Sequence, residues 1–273
     1  MSDLAVCFGP AARAAICHAF DGATKSISAE FYDLKDGAVR AALARAQARG
    51  VVVDVRTEHH RHAFDSHAVL HAKAAVIDQR TAIVTTANVT RSGFGSPGEV
   101  CVVDDRPDDV RALSAAIAGQ TDPTCSHERI VAGPGTALRD SVAAMLISPS
   151  DLRIASEDLS DERVVEALIA RHAAGHNDRV LINDKGTLSR EQQRTVCRLN
   201  GAGVAVRAPV DAYMHEKYVD DGDRIYVGSA NLTRNGLDEG REIGLVAPAC
   251  DFGIGAAELR AHFDELWSSS SPV

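Results

Sequence analysis

The sequence is poor in aromatic residues: one Trp, four Tyr and seven Phe among 273 residues. That is too few for an extended platform on which nucleobases stack. No apolar run reaches the roughly 18 residues a membrane-spanning helix needs, so no stable membrane insertion is expected. The opening MSDLAVCFGPAARAAICHAF lacks a basic stretch followed by an apolar core. No secretory leader is therefore expected, and a cytoplasmic location is the expectation that goes with it. None of the six cysteines (Cys7, Cys17, Cys101, Cys125, Cys197, Cys250) forms a C-x-x-C pair. A zinc knuckle or dithiol redox motif is thereby disfavoured, and the scattered thiols read as reduced, small apolar side chains. Positive charge is also in deficit, with 29 Lys and Arg against 38 Asp and Glu, a net charge of −9. A phosphate site in such a chain must be a local basic patch rather than a general polyanion surface.

What is present is an ordinary globular balance, 45% hydrophobic and 25% charged residues. Short β-branched runs alternate with Ala-rich helical stretches. Strands are expected at Leu4–Phe8, Ile27–Tyr32 and Val51–Arg56, and helices at Ala11–Phe20 and Asp36–Ala48, the second closed by Gly50. Val51–Arg56 is nearly continuous in apolar character, as in a strand covered on both faces. The same order returns with Ile130–Ala132, Thr136–Leu146, Leu152–Ser156, Asp161–Ala174 and Arg179–Asn183. Glu30 and Glu157 occupy similar strand positions, 20 and 18 residues before Gly50 and Gly175. The second half then adds a helix, Arg190–Asn200, and a strand, Val204–Arg207, that the first lacks. Polar Thr121–Ser126 reads as the linker, dividing the chain into repeats at 1–122 and 123–273. The Ser-rich tail ending at Pro272 is expected to fray. The class is α/β, two repeats related by a pseudo-twofold axis.

Each repeat carries one constellation of polar residues. The first has His71, Lys73, Asp78, Thr86, Asn88 and Glu99; the second has His215, Lys217, Asp221, Ser229, Asn231 and Glu242. His and Glu stand 28 residues apart in one copy and 27 in the other, and Asn to Glu is 11 in both. Asn88-Val89-Thr90-Arg91 matches Asn231-Leu232-Thr233-Arg234. On a strand, His and Lys two apart share a face, so each pair can address one pocket. Two His, two Lys and two Asn in one cleft make an anion site of phosphate type, with imidazoles able to attack or to protonate. An acid heading an apolar strand, as Glu99 and Glu242 do, is costly unless paired, and a histidine Nδ1–H is the expected partner.

These residues resemble the phospholipase D superfamily, whose signature is H-x-K-x4-D followed by G-S-x-N. His71-x-Lys73-x4-Asp78 fits the first part, while Thr85-Thr86 stands where Gly-Ser is usual. Gly228-Ser229-Ala230-Asn231 is intact, but the second acid is displaced to Asp221, with Asp220 and Asp223 as other candidates. The resemblance implies an active site at the repeat interface and a phosphohistidine intermediate. One His, His71 by resemblance, attacks phosphorus; His215 protonates the leaving oxygen and then activates water or an alcohol. It implies no metal and no cofactor, the motif Asp residues being structural or partners of the Lys. A monomer should then hold a complete site.

The substrate is expected to be a phosphodiester. A compact chain for which no leader is expected favours a nuclease on DNA or RNA. A lipid or small-molecule phosphodiesterase or phosphatidyl-type transferase, and a catalytically impaired nucleic-acid-binding relative, are the alternatives. Arg56 and Arg61, with His59, His60, His62 and His67, are placed at the mouth of the cleft, where they add positive charge; a plain solvated loop is the other reading of that run.

Overall fold

The computed structural model describes residues 4–58, 68–96, 98–120, 129–183, 188–210 and 213–273. Arg61, His59, His60, His62 and His67, and the linker Thr121–Ser126, lie outside them.

The first half runs β1 (Ala5–Phe8), α1 (Gly9–Gly22), β2 (Ser26–Phe31), α2 (Gly37–Ala48), β3 (Val52–Thr57), β4 (Lys73–Ile77), β5 (Thr81–Thr85), β6 (Val100–Asp104) and α3 (Pro107–Ile117). The second runs β7 (Ile130–Ala132), α4 (Ala137–Leu146), β8 (Arg153–Ser156), α5 (Glu162–Ala173), β9 (Arg179–Ile182), α6 (Arg190–Gly201), β10 (Ala205–Pro209), β11 (Lys217–Asp220), β12 (Arg224–Gly228), β13 (Ile243–Pro248), α7 (Ile254–Ser268) and β14 (Ser270–Pro272). The first sheet is ordered β1-β6-β5-β4-β2-β3. The second is β14-β10-β9-β8-β11-β12-β13-β7, the same order read backwards with two strands added at one edge. In each sheet the helix-linked strands pair in parallel, β2 with β3 and β8 with β9, and the hairpin-linked strands pair antiparallel.

The duplication extends to the caps. Asp36 accepts from the backbone N–H groups of Ala38 and Val39, and Asp161 from those of Arg163 and Val164. Each carboxylate satisfies donors that a helix start leaves unpaired, worth roughly 1 kcal/mol. Gly50 and Gly175 follow α2 and α5 at φ +88° and +97°, a conformation that costs a side-chain-bearing residue.

Three apolar layers hold the molecule together. One lies outside the first sheet under α1 and α2, with Ile16, Phe20, Val39 and Leu43. Another lies outside the second sheet under α4, α5 and α6. The third is shared: Val84, Val102 and Leu113 pack in one cluster with Val227, Leu245, Leu259 and Phe263. Because each fully buried Leu or Phe stabilises by roughly 1.5–3 kcal/mol, this middle layer fixes how the halves face each other.

Two expectations change. The strand near Val51–Arg56 forms as β3, but at the open edge of its sheet, where Val52 is 69% exposed. Its counterpart β9 is the enclosed one, because β10 continues the parallel pairing beyond it. The tail does not fray: Ser270–Pro272 pairs antiparallel with β10 as β14 and covers that edge.

Candidate active site

The His-x-Lys pairs enter at equivalent places. Lys73 opens β4 opposite Phe31, and Lys217 opens β11 opposite Ser156. Both lysines are buried, and each Nζ donates to the carbonyl of its own histidine, Lys73 to His71 at 2.6 Å and Lys217 to His215 at 2.5 Å. The ammonium groups thus sit beneath the imidazoles rather than on the cleft wall. Ala72 and Glu216, between them, face the opposite side, where burial and then Glu99 push Glu216 up to about 8.

The glutamates cross over. His71 Nδ1 donates to Glu242 Oε1 at 2.8 Å, and His215 Nδ1 lies 2.9 Å from Glu99 Oε1. Each half therefore supplies the carboxylate that orients the other half's imidazole. Thr86 Oγ1 donates to Glu99 at 2.6 Å, and Ser229 Oγ donates to Glu242, so threonine does serine's work in the first copy. The backbone joins in the exchange. His71 N–H donates to the Arg241 carbonyl across the interface, and Ser96 Oγ donates to the Tyr213 carbonyl on the other side.

The asparagines follow β5 and β12. Isolated bridges Leu34–Val89 and Leu159–Leu232 pin the residue after each Asn to the loop before α2 or α5. Thr90 and Thr233 hydroxyls accept from the N–H groups of Gly93 and Gly236. A Cβ at either glycine would lie 2.2 or 2.3 Å from the Asn88 or Asn231 carbonyl oxygen. The repeated Asn-x-Thr and these glycines shape one turn that aims the amide into the cleft. Asn88 Nδ2 stands 3.4 Å from His215 Nε2, again across the interface.

The halves differ in what the residue after β2 or β8 brings into the cleft, Tyr32 in the first and Glu157 in the second. Since Phe31 and Ser156 share a register, the residue matching Glu157 is Tyr32, and Glu30 matches Ala155, one step from the pairing expected from the sequence. Glu30 is buried and bound by Arg56 and Arg241. Glu157 instead enters the cleft: its Oε2 lies 3.0 Å from Lys217 Nζ, 3.2 Å from His215 Nε2 and 3.4 Å from Asn231 Nδ2, and the Tyr213 hydroxyl donates to its other oxygen. Tyr32 places its ring edge-on to His71, centroids 5.1 Å apart.

A cavity of about 650 Å³ opens between the halves. His71, His215, Asn88, Asn231 and Glu242 line it, together with Tyr32, Tyr213 and Glu157, and its wall includes Asp158, Glu191, Arg234 and Glu239. Arg56 does not line it; its guanidinium is engaged 3.1 Å from Glu30. The motif acids are remote from the chemistry. Asp78 accepts from Thr24, Lys25 and Ser26 and ties the β4–β5 turn to the start of β2. Burial opposes its ionisation, but these bonds hold it down to about 2. Asp221 closes the β11–β12 turn on the Asp223 and Arg224 N–H groups and binds the Arg224 guanidinium. Neither acid pairs with a motif lysine. Among the described residues Asp151, His176 and Asp178 stand close enough to share a cation, but Asp178 is engaged by Arg171 and by the Leu152 N–H.

Burial sets the electrostatics. It pulls both imidazoles below the usual histidine range, helped by Lys73 at His71 and Lys217 at His215, while Glu242 and Glu99 oppose. It brings the Lys73 ammonium down to about 7. Burial resists ionisation of Glu157, but Lys217 and His215 win and hold it down to about 2.

Two motif sets meeting in one cleft can be set beside known proteins. The profile of the family described as "Cardiolipin synthase, PLD-like domain" matches residues 56–119 and 143–267. The chain belongs to this family. It therefore lies within the phospholipase D superfamily, whose members act on phosphodiesters. The crystal structure of phosphatidylserine synthase from Haemophilus influenzae Rd KW20 is similar over 99% of this chain and 87% of that one, with TM-score 0.74 and 12% identity. Polyphosphate kinase from Porphyromonas gingivalis is similar over 96% of this chain and 46% of its own, with TM-score 0.63 and 15% identity. At such identities the likeness is one of fold. A comparison with curated proteins finds no match. No described helix is long and apolar enough to cross a membrane.

Within this PLD-like architecture, sequence reasoning missed Tyr32, Tyr213 and the crossing of the glutamates. Gly93 and Gly236 were legible as a repeat, five residues after each Asn. Tyr32 was hidden by the one-residue register error.

Proposed function

We propose that the protein cleaves or exchanges a phosphodiester in two displacements at the repeat interface. His71 Nε2 attacks phosphorus and the P–O bond to the leaving group breaks. His215 gives the leaving oxygen its proton, then takes one from water or an alcohol, which attacks the phosphohistidine and frees His71. Glu242 and Glu99 keep each Nδ1 protonated so that Nε2 faces the cleft. Asn88 and Asn231 donate to the non-bridging oxygens, and Lys73 and Lys217 supply positive charge from beneath. Asp78, Asp221, Thr86 and Ser229 support this set without touching substrate. The observation that carries the reading is the reciprocal pair His71–Glu242 and His215–Glu99, which builds one site from both repeats of a single chain.

The order of roles follows from exposure and surroundings. The His71 side chain is 17% exposed against 5% for His215, so it is the more open to an incoming phosphorus. His215 Nε2 rests against the Glu157 carboxylate, which keeps a proton where a general acid needs it.

A compact phosphodiester suits this cleft better than a polynucleotide. Asp158, Glu191 and Glu239 on its wall repel a continuing line of phosphates, and Arg234, the cation among the wall residues named, is paired with Glu239 at 3.0 Å. Assay of single-stranded DNA, RNA, glycerophosphodiesters and phosphatidylcholine, each with and without excess EDTA, tests both parts. Glycerophosphodiesters should be cleaved fastest, and EDTA should change the rate less than about twofold, because lysine and asparagine supply the electrostatics. Polynucleotide cleavage dominating the panel would restore the nuclease reading. Loss with EDTA, restored by zinc or magnesium, would refute metal independence.

A further inference from the structure

The helix and strand that only the second repeat carries lie against one particular surface. β10 pairs in parallel with the outer edge of β9, and Arg198 of α6 binds Glu162 and Glu166 on α5. In the first repeat the matching surface is open. No described strand pairs with the outer edge of β3. At the offset that relates Asp36 to Asp161 and Gly50 to Gly175, Gly37 and Ala41 replace Glu162 and Glu166. With Ala44 and Ala48 they leave an exposed face of small side chains on α2. The β3 edge has a definite register. Val52 N–H donates to the Lys25 carbonyl, so Val52, Asp54 and Arg56 turn their backbone groups toward β2. Val53, Val55 and Thr57 turn theirs outward, ready to pair with another strand. Asp54 is exposed and makes no ion pair among the described residues, and Arg56 stands two residues on, on the same face of the strand.

We infer that two copies of the chain meet at this surface, β3 of one pairing antiparallel with β3 of the other about a twofold axis at Val55. Such a contact is isologous, one patch serving both copies. With the axis there, Val55 exchanges N–H···O bonds with its own counterpart, and Val53 exchanges them with the partner's Thr57. Every outward backbone group of these residues is then paired. The same register sets Asp54 directly opposite the partner's Arg56, and Arg56 opposite the partner's Asp54. Arg56 keeps Glu30 at 3.1 Å and has guanidinium donors to spare. An axis at Asp54 would also pair backbone groups, but it would bring two Asp54 carboxylates face to face, so charge selects Val55. The two first-repeat sheets run on into each other across the axis, and the small faces of the two α2 helices come side by side where α6 stands in the second repeat. Each copy keeps a whole catalytic cleft, so the contact is additional to the chemistry.

Sedimentation of the full chain from about 1 to about 100 μM should show a monomer–dimer equilibrium with Kd on the order of micromolar. Val55→Pro removes an outward N–H without touching the ladder to β2, and should leave the chain monomeric over that range. Asp54→Arg sets guanidinium groups opposite each other and should weaken the dimer by at least about tenfold. Because Asp54 is exposed and outside the cleft, Asp54→Arg should melt as the wild type does, which separates lost pairing from lost folding. A wild-type chain that stays monomeric at about 100 μM overturns the inference. So does a dimer that both variants leave intact, since its contact lies elsewhere. Neither outcome bears on the catalytic reading, which concerns a site complete within one chain.

Discussion

His71→Ala and His215→Ala should each lower cleavage of an alkyl phosphodiester by roughly three to five orders of magnitude, as loss of a nucleophile or its proton-transfer partner does elsewhere. The two variants should part company on an aryl ester. The 4-nitrophenolate ion leaves without a proton, so the first displacement does not need His215. His215→Ala should then release about one equivalent of nitrophenolate per protein and stall, because no base activates the water for the second step. His71→Ala should show no burst, since nothing attacks phosphorus. A burst in His71→Ala and none in His215→Ala would reverse the two roles. Both side chains sit in the cleft rather than the apolar layers, so thermal melts should stay close to wild type.

Glu99→Gln and Glu242→Gln should each cost roughly two to four orders of magnitude in kcat, by analogy with the orienting acid of a hydrolase triad. Their pH profiles should differ, because the carboxylates cross the interface. Glu99 lies 2.9 Å from His215, and Glu242 2.8 Å from His71. Each carboxylate raises the pKa of the imidazole it faces, so its removal lets burial and the neighbouring lysine pull that pKa lower still. The general acid must be protonated, so Glu99→Gln should move the alkaline limb of the profile to lower pH. The nucleophile must be neutral, so Glu242→Gln should move the acid limb to lower pH. Glutamine keeps the shape and can still accept from Nδ1, but an amide turned to present its NH2 group favours the wrong tautomer. Wild-type rates in both variants would make these glutamates structural. Shifts of the opposite limbs would mean that each repeat serves its own histidine.

Much of this was legible in the chain. The alternation of short β-branched runs with Ala-rich helices, and its return after residue 130, specified two α/β repeats, with α6 and β10 inserted in the second. The polar residues were legible because they recur at equal spacings, and only a shared geometry demands that. What spacing cannot convey is which half a side chain reaches. Glu99 and Glu242 were each recognised as a partner for a histidine Nδ1, but the crossing depends on how the apolar layer shared by Val102, Leu245 and Phe263 brings the halves together. Edges were misread for a related reason: β3 and β9 look alike as apolar strings, and the strand added beside β9 decides which one meets solvent. Arg56 was assigned to the cleft from its charge alone. The buried Glu30, which needs a cation, claims it instead.

The proposed mechanism turns on one chemical event, transfer of the esterified phosphoryl group onto His71 in a cleft built by both repeats. His215→Ala incubated with an aryl phosphodiester, quenched in alkaline denaturant and digested, allows it to be seen directly by mass spectrometry. One adduct per chain is expected, on the peptide containing His71: a phosphoryl group that keeps the ester's second substituent, since only the P–O bond to the aryl leaving group breaks. An unmodified His71 peptide after a full burst, or an adduct on any other residue, would contradict it.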